Sequence, residues 1–119
     1  IAGSHLSNVI HKPKRFNGHD LYENDNSTEV PDINSNRDDY KILSWEIKAG
    51  DAIAFDFRTL HGASENVNKL SRRRIFSARI VGDDAFFVDR GGKGSPPFEN
   101  IKLKTGDKLV GKEFPIIYQ

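Results

Sequence analysis

Apolar residues along this chain recur at two-residue spacing in short bursts, and nowhere at the three-to-four-residue spacing of an amphipathic helix. Three stretches, "KILSWEI" (41–47), "AIAFDFRTLH" (52–61) and "RRRIFSARIV" (72–81), are rich in β-branched and aromatic residues, and each predicts a strand. In the second, Ile53, Phe55, Phe57, Thr59 and His61 fall on one face, with Ala54, Asp56 and Arg58 on the other. The face carrying the phenylalanines is the one expected to be buried. His61 then stands at the end of an apolar row, where core meets solvent. "KAGD" (48–51) predicts a turn, "GASENVNKLS" (62–71) a loop, and "GDDAFFVDR" (82–90) a turn leading into another extended piece.

The flanks are different in kind. Residues 11–40 are polar, with "ENDNSTEVPDINSNRDD" at their centre, a density of Asn, Asp, Ser and Pro that favours turns. Residues 91–119 are rich in Gly and Pro and predict irregular chain wrapped over a surface. With no helical period and no repeat, the pattern predicts a single all-β domain over residues 1–119, carrying a variable polar loop at about 11–40.

Composition narrows the classes. A chain of 119 residues suffices for one domain and is too short for two. Eight phenylalanines and one tryptophan supply the bulk of any core. Lys plus Arg (18) nearly balances Asp plus Glu (17), so no global field points to nucleic acid or to a membrane surface. The absence of cysteine excludes disulfides and thiolate metal sites. No apolar run has the length of a membrane span, and the opening residues lack the basic-then-apolar pattern of a secretion signal. The expectation is a soluble cytoplasmic protein with no nucleic-acid or membrane partner.

Two places hold candidate chemistry. His61 ends the 52–61 stretch, and Gly62 beside it removes bulk that would hinder a ligand. A neutral imidazole is the commonest metal-binding side chain, although a lone histidine in this setting is more often structural. The run Arg72-Arg73-Arg74 opens the next strand, where Arg73 opposes Arg72 and Arg74. An inward arginine there needs an anion, and a carboxylate matches its fork, whereas an outward one merely discourages edge-to-edge pairing. "GDKLVGK" (106–112) lacks the Ser or Thr of a phosphate-binding loop, with Glu113 in its place, and is expected to be plain turn. His5, His11 and His19 form no tight ligand couple, and His5 stands out only for its neighbours Gly3 and Ser4.

Taken in order, "GSH" (3–5), "GDAIAFDFRTLHGASEN" (50–66), "RRRIFSARIVGDDA" (72–85) and "SPPF" (95–98) resemble the phytanoyl-CoA dioxygenase family. These are iron(II)- and 2-oxoglutarate-dependent oxygenases on a double-stranded β-helix, a cupin-like jelly roll. The resemblance implies that His61 is the distal histidine of a 2-His-1-carboxylate site for Fe(II). It implies that an arginine at the start of the following strand holds the far carboxylate of the co-substrate 2-oxoglutarate. Counting forward from His61 selects Arg72, and counting back from "SAR…GDD" selects Arg73, the preferred assignment because strand register slips less easily than loop length. Thr59 is a further candidate for co-substrate contact, and Phe55, Phe57 and Trp45 would line an apolar interior. The implied reaction is oxidation of a small organic substrate.

One departure qualifies this. The family's other two ligands come as His-x-Asp upstream of the "GSH" turn, and this sequence contains no His-x-Asp. The expectation is a partial jelly roll, the C-terminal half of a catalytic domain, with a second copy pairing to complete its sheet. The competing expectation is a catalytically inactive jelly-roll or cupin-like domain kept for binding or assembly.

Overall fold

The computed structural model describes residues 1–15, 17–22, 26–91, 94 and 97–118. Among the described residues there is no strand and no sheet, and the regular elements are two single-turn 3₁₀ helices, Ser4–Leu6 and Arg37–Asp39. Isolated bridges join His11 to Thr28, Lys14 to Asp20 and Phe86 to Lys108. The all-β jelly roll expected for this chain is therefore not its architecture.

The physical reason lies in the faces that alternation was meant to bury. Two-residue periodicity specifies a strand only where a neighbour takes up the backbone N–H and C=O groups and a second layer covers the apolar face. Neither condition is met among the described residues, none of which is buried. Phe57 is 82% exposed and Phe76 is 91% exposed. A fully buried phenylalanine would contribute about 1.5–3 kcal/mol, and that gain is not realised here. Trp45, Phe55 and Phe57, expected to line an interior, are all on the surface.

The chain divides into two units. The first comprises Ile1–Lys12 with Asn26–Ser71. Polar closures organise it. The Lys12 amide donates to the Thr28 carbonyl (2.8 Å) and the Thr28 amide to the Ile10 carbonyl (2.9 Å), with a Lys12–Glu29 ion pair at 3.2 Å alongside. "KAGD" forms the predicted turn: Asp51 accepts from the Lys48 amide on its carboxylate (2.8 Å), and its own amide donates to the Lys48 carbonyl (3.0 Å). Gly50 sits at φ 101°, a left-handed conformation that glycine adopts without steric cost. Within the polar 26–40 stretch, Asp32 caps a turn by accepting the Ser35 amide (3.1 Å), and bonding from Ser35 holds its carboxyl below the ordinary value.

The second unit comprises Pro13–Asp25 with Arg72–Gln119. A backbone closure pairs Phe87 with the 104–107 turn. The Phe87 amide donates to the Asp107 carbonyl (2.8 Å) and the Gly106 amide to the Phe87 carbonyl (2.9 Å). The turn is closed by Asp107 accepting the Lys104 amide (2.7 Å), and the 106–112 stretch expected to be plain turn starts at its end and runs into the Phe86–Lys108 bridge. Phe98 and Phe114 meet at a centroid distance of 5.2 Å. Ser95 and Pro96 of the "SPPF" motif lie outside the described residues. No helix among the described residues is long and apolar enough to cross a membrane.

Candidate functional site

The "GSH" turn and the "RTLHG" segment meet in the first unit. Gly3, at φ 73°, turns the chain so that the Leu6 amide reaches the Gly3 carbonyl (2.9 Å). This leaves Ser4 facing Leu60, whose amide donates to the Ser4 hydroxyl oxygen at 2.8 Å. The same hydroxyl donates to the Ile1 carbonyl (3.0 Å), and the Ile1 nitrogen donates to the Leu60 carbonyl (2.8 Å).

The approach to His61 is a turn where a continuous strand over 52–61 was expected. The Thr59 amide donates to the Asp56 carbonyl (2.9 Å), closing residues 56–59. Asp56 drives this. Its carboxylate accepts the Arg58 amide at 2.8 Å and grips the Arg58 guanidinium through Nε and Nη2, both at 3.0 Å. A short carboxylate that captures the backbone two residues on offers the chain an alternative to a strand ladder. The Asp56 carboxyl is accordingly held down at about 2, first by the side-chain hydrogen bond from Arg58 and then by its amide, with the His5 charge a smaller contributor. The same pairing raises the Arg58 guanidinium above its ordinary value.

The turn swings His61 back onto Phe55, with ring centroids 4.6 Å apart at 53°. The imidazole is exposed, not enclosed on a buried face as the alternation predicted. Its Nδ1 lies 2.7 Å from the Thr59 carbonyl oxygen. A carbonyl only accepts, so Nδ1 carries the hydrogen and the neutral ring offers its lone pair at Nε2.

Thr59 is half-buried beside His61. Arg72 and Arg73 belong to the second unit, where both are exposed and neither makes a side-chain hydrogen bond or ion pair among the described residues. His11 is engaged with the Glu29 carbonyl (3.1 Å). Among the described residues no group of three His, Asp or Glu side chains converges to hold a metal. These residues present one well-oriented imidazole and do not by themselves fit an iron centre. Two contributors escaped the sequence pattern. Ser4 was visible only as part of a "GSH" turn, and Asp56 looked like an outward strand residue although an Asp side chain can bond its own backbone two residues on.

Comparison with known protein families gives a match. The family model for phytanoyl-CoA dioxygenase covers residues 1–74 of the 119. No curated protein and no solved structure matches the chain. The matched segment is more than half of the sequence and contains the Ser4–Leu60 junction together with His61. The chain belongs to the phytanoyl-CoA dioxygenase family.

Proposed function

We propose that this chain contributes to an iron(II)- and 2-oxoglutarate-dependent dioxygenase that hydroxylates a small organic substrate. His61 supplies one imidazole ligand through Nε2. Arg73, with Arg72 as the alternative, pairs with the distal carboxylate of 2-oxoglutarate, and Thr59 contacts the co-substrate. The observation that carries this reading is the family match over residues 1–74, which includes His61, Thr59 and both arginines. The uncommitted guanidinium groups of Arg72 and Arg73 support it, because a free planar fork is what a bidentate carboxylate partner requires. The two remaining metal donors come from outside these 119 residues, since the sequence holds no His-x-Asp.

A second reading is favoured by one observation, that no three metal donors converge among the described residues. In that reading the chain is a catalytically silent binding or assembly module. Anaerobic titration of the full-length gene product with iron(II) and 2-oxoglutarate separates the two. The oxygenase reading predicts a visible metal-to-ligand charge-transfer band that His61→Ala abolishes. A full-length protein that gives no band leaves the silent module standing, and a band indifferent to His61→Ala removes His61 from the metal site.

A further inference from the structure

The Ser4 hydroxyl engages two partners, accepting from the Leu60 amide at 2.8 Å and donating to the Ile1 carbonyl at 3.0 Å. The Leu60 N–H belongs to the same planar peptide unit as the Thr59 carbonyl. In a trans peptide these two groups point in opposite directions, so whatever fixes the N–H also aims the C=O. The Thr59 carbonyl is the acceptor for His61 Nδ1, at 2.7 Å. One peptide plane is therefore held from one side by Ser4 and used from the other by the imidazole. The plane is braced at both neighbours: the Thr59 amide donates to the Asp56 carbonyl (2.9 Å), and the Leu60 carbonyl accepts the Ile1 nitrogen (2.8 Å).

We propose that Ser4 is a positioning residue for His61. By holding the Thr59–Leu60 peptide plane it keeps the Thr59 carbonyl on Nδ1, maintains the Nδ1–H tautomer and leaves Nε2 as the presented nitrogen. The orientation of a ligand imidazole is commonly set by the hydrogen bond its other nitrogen makes. Here that bond is set in turn by a hydroxyl that lies 56 residues away in sequence from the amide it holds. The inference rests on the proposed role of His61 for its functional meaning, but its geometry and its test do not involve metal.

The test is a long-range proton–nitrogen correlation spectrum of the His61 ring, recorded on the whole chain in mildly alkaline buffer. The wild-type ring shows the Nδ1–H pattern. Ser4→Ala shifts it toward Nε2–H or a mixture, and Ser4→Thr, which keeps the hydroxyl, restores it. Ser7→Ala removes a hydroxyl of the same turn that donates to the Ser4 carbonyl (2.9 Å) and leaves the ring unchanged. Losing one net hydrogen bond speeds exchange of the Leu60 amide roughly five- to tenfold in Ser4→Ala. A Ser4→Ala ring identical to wild type, or an equal change in Ser7→Ala, overturns the proposal. Should Ser4→Ala fail to fold, the wild type decides: its Leu60 amide must exchange more slowly than that of exposed Ala63, and equal rates overturn it. A correct ring pattern with a failed iron titration removes the oxygenase reading and leaves Ser4 in place.

Discussion

Residues 56–61 hold two apolar side chains in six and residues 74–80 four in seven, yet it is the less apolar segment that is anchored. The first is tied by Asp56 to Arg58 and Thr59, and by Leu60 to Ser4 and Ile1. The second, "RIFSARI", leaves Ile75 68%, Phe76 91% and Ile80 76% exposed. The difference is polar chemistry at short range. Asp, Ser and Gly close turns with partners a few residues away or at one matching site, and each closure stands without a neighbouring layer. Alternating apolar residues carry no partner of their own. Their stabilisation arrives only when another surface covers them.

The largest effect expected from probing this contrast falls on the two arginines that lead into the unanchored segment. If Arg73 is kept free for a carboxylate, Arg73→Ala raises the 2-oxoglutarate concentration needed by the full-length protein roughly 10- to 100-fold, the loss of a charge-assisted hydrogen-bonded pair. Arg72→Ala then changes it by less than about threefold, within the range of a mere surface substitution. Calorimetric titration distinguishes them, and the reverse ranking reassigns the role to Arg72.

In the anchored segment, Asp56→Ala removes both the amide and guanidinium acceptors of Arg58 and is expected to open the 56–59 turn. The loss of the Phe55–His61 ring contact would appear as a shift of the His61 ring protons in the proton NMR spectrum. Unchanged ring shifts would show that the turn does not depend on Asp56.

Acidification makes the same point more gently. The Asp56 carboxyl is depressed to about 2 from its ordinary 3.8, so the folded turn binds fewer protons than the open chain. Its contribution is complete above the ordinary value and is lost as pH falls through about 2. The Arg58 Nε–H resonance is expected to hold its position at pH 5 and to move toward the free-arginine value between pH 4 and 2. Movement centred near pH 4 would deny the pairing.

The smallest expected effect is the most discriminating for the fold. Phe76→Ala in a packed core costs about 3–5 kcal/mol. At 91% exposure it is expected to change stability by less than about 0.5 kcal/mol, as surface substitutions do. A core-sized loss in urea denaturation would show that this face is covered after all.

What was legible in the sequence follows the same division. The turn at 48–51 and the turn that opens 82–90 were readable because Gly and Asp act locally, and each is present as a hydrogen bond. The family was readable because "GSH" and "TLHG" stand in order, and the matching region contains both. The strands at 41–47, 52–61 and 72–81 were not, because alternation describes what a segment would bury and not whether anything covers it. Asp56 was misplaced for a related reason: on paper it completes a polar face, and in space it bonds the chain that follows it. Ser4 could not be found from pattern, since its partner Leu60 lies 56 residues on.

Amide hydrogen exchange resolved along the whole chain tests the central claim most directly, that short polar closures and not a sheet hold this molecule. The prediction is isolated protection at Leu60, Thr59, Asp51, Thr28 and Phe87, with amides of 75–80 exchanging at free-chain rates. Protection continuing residue after residue, or on alternate residues, through 41–47, 52–58 and 74–81 would contradict it.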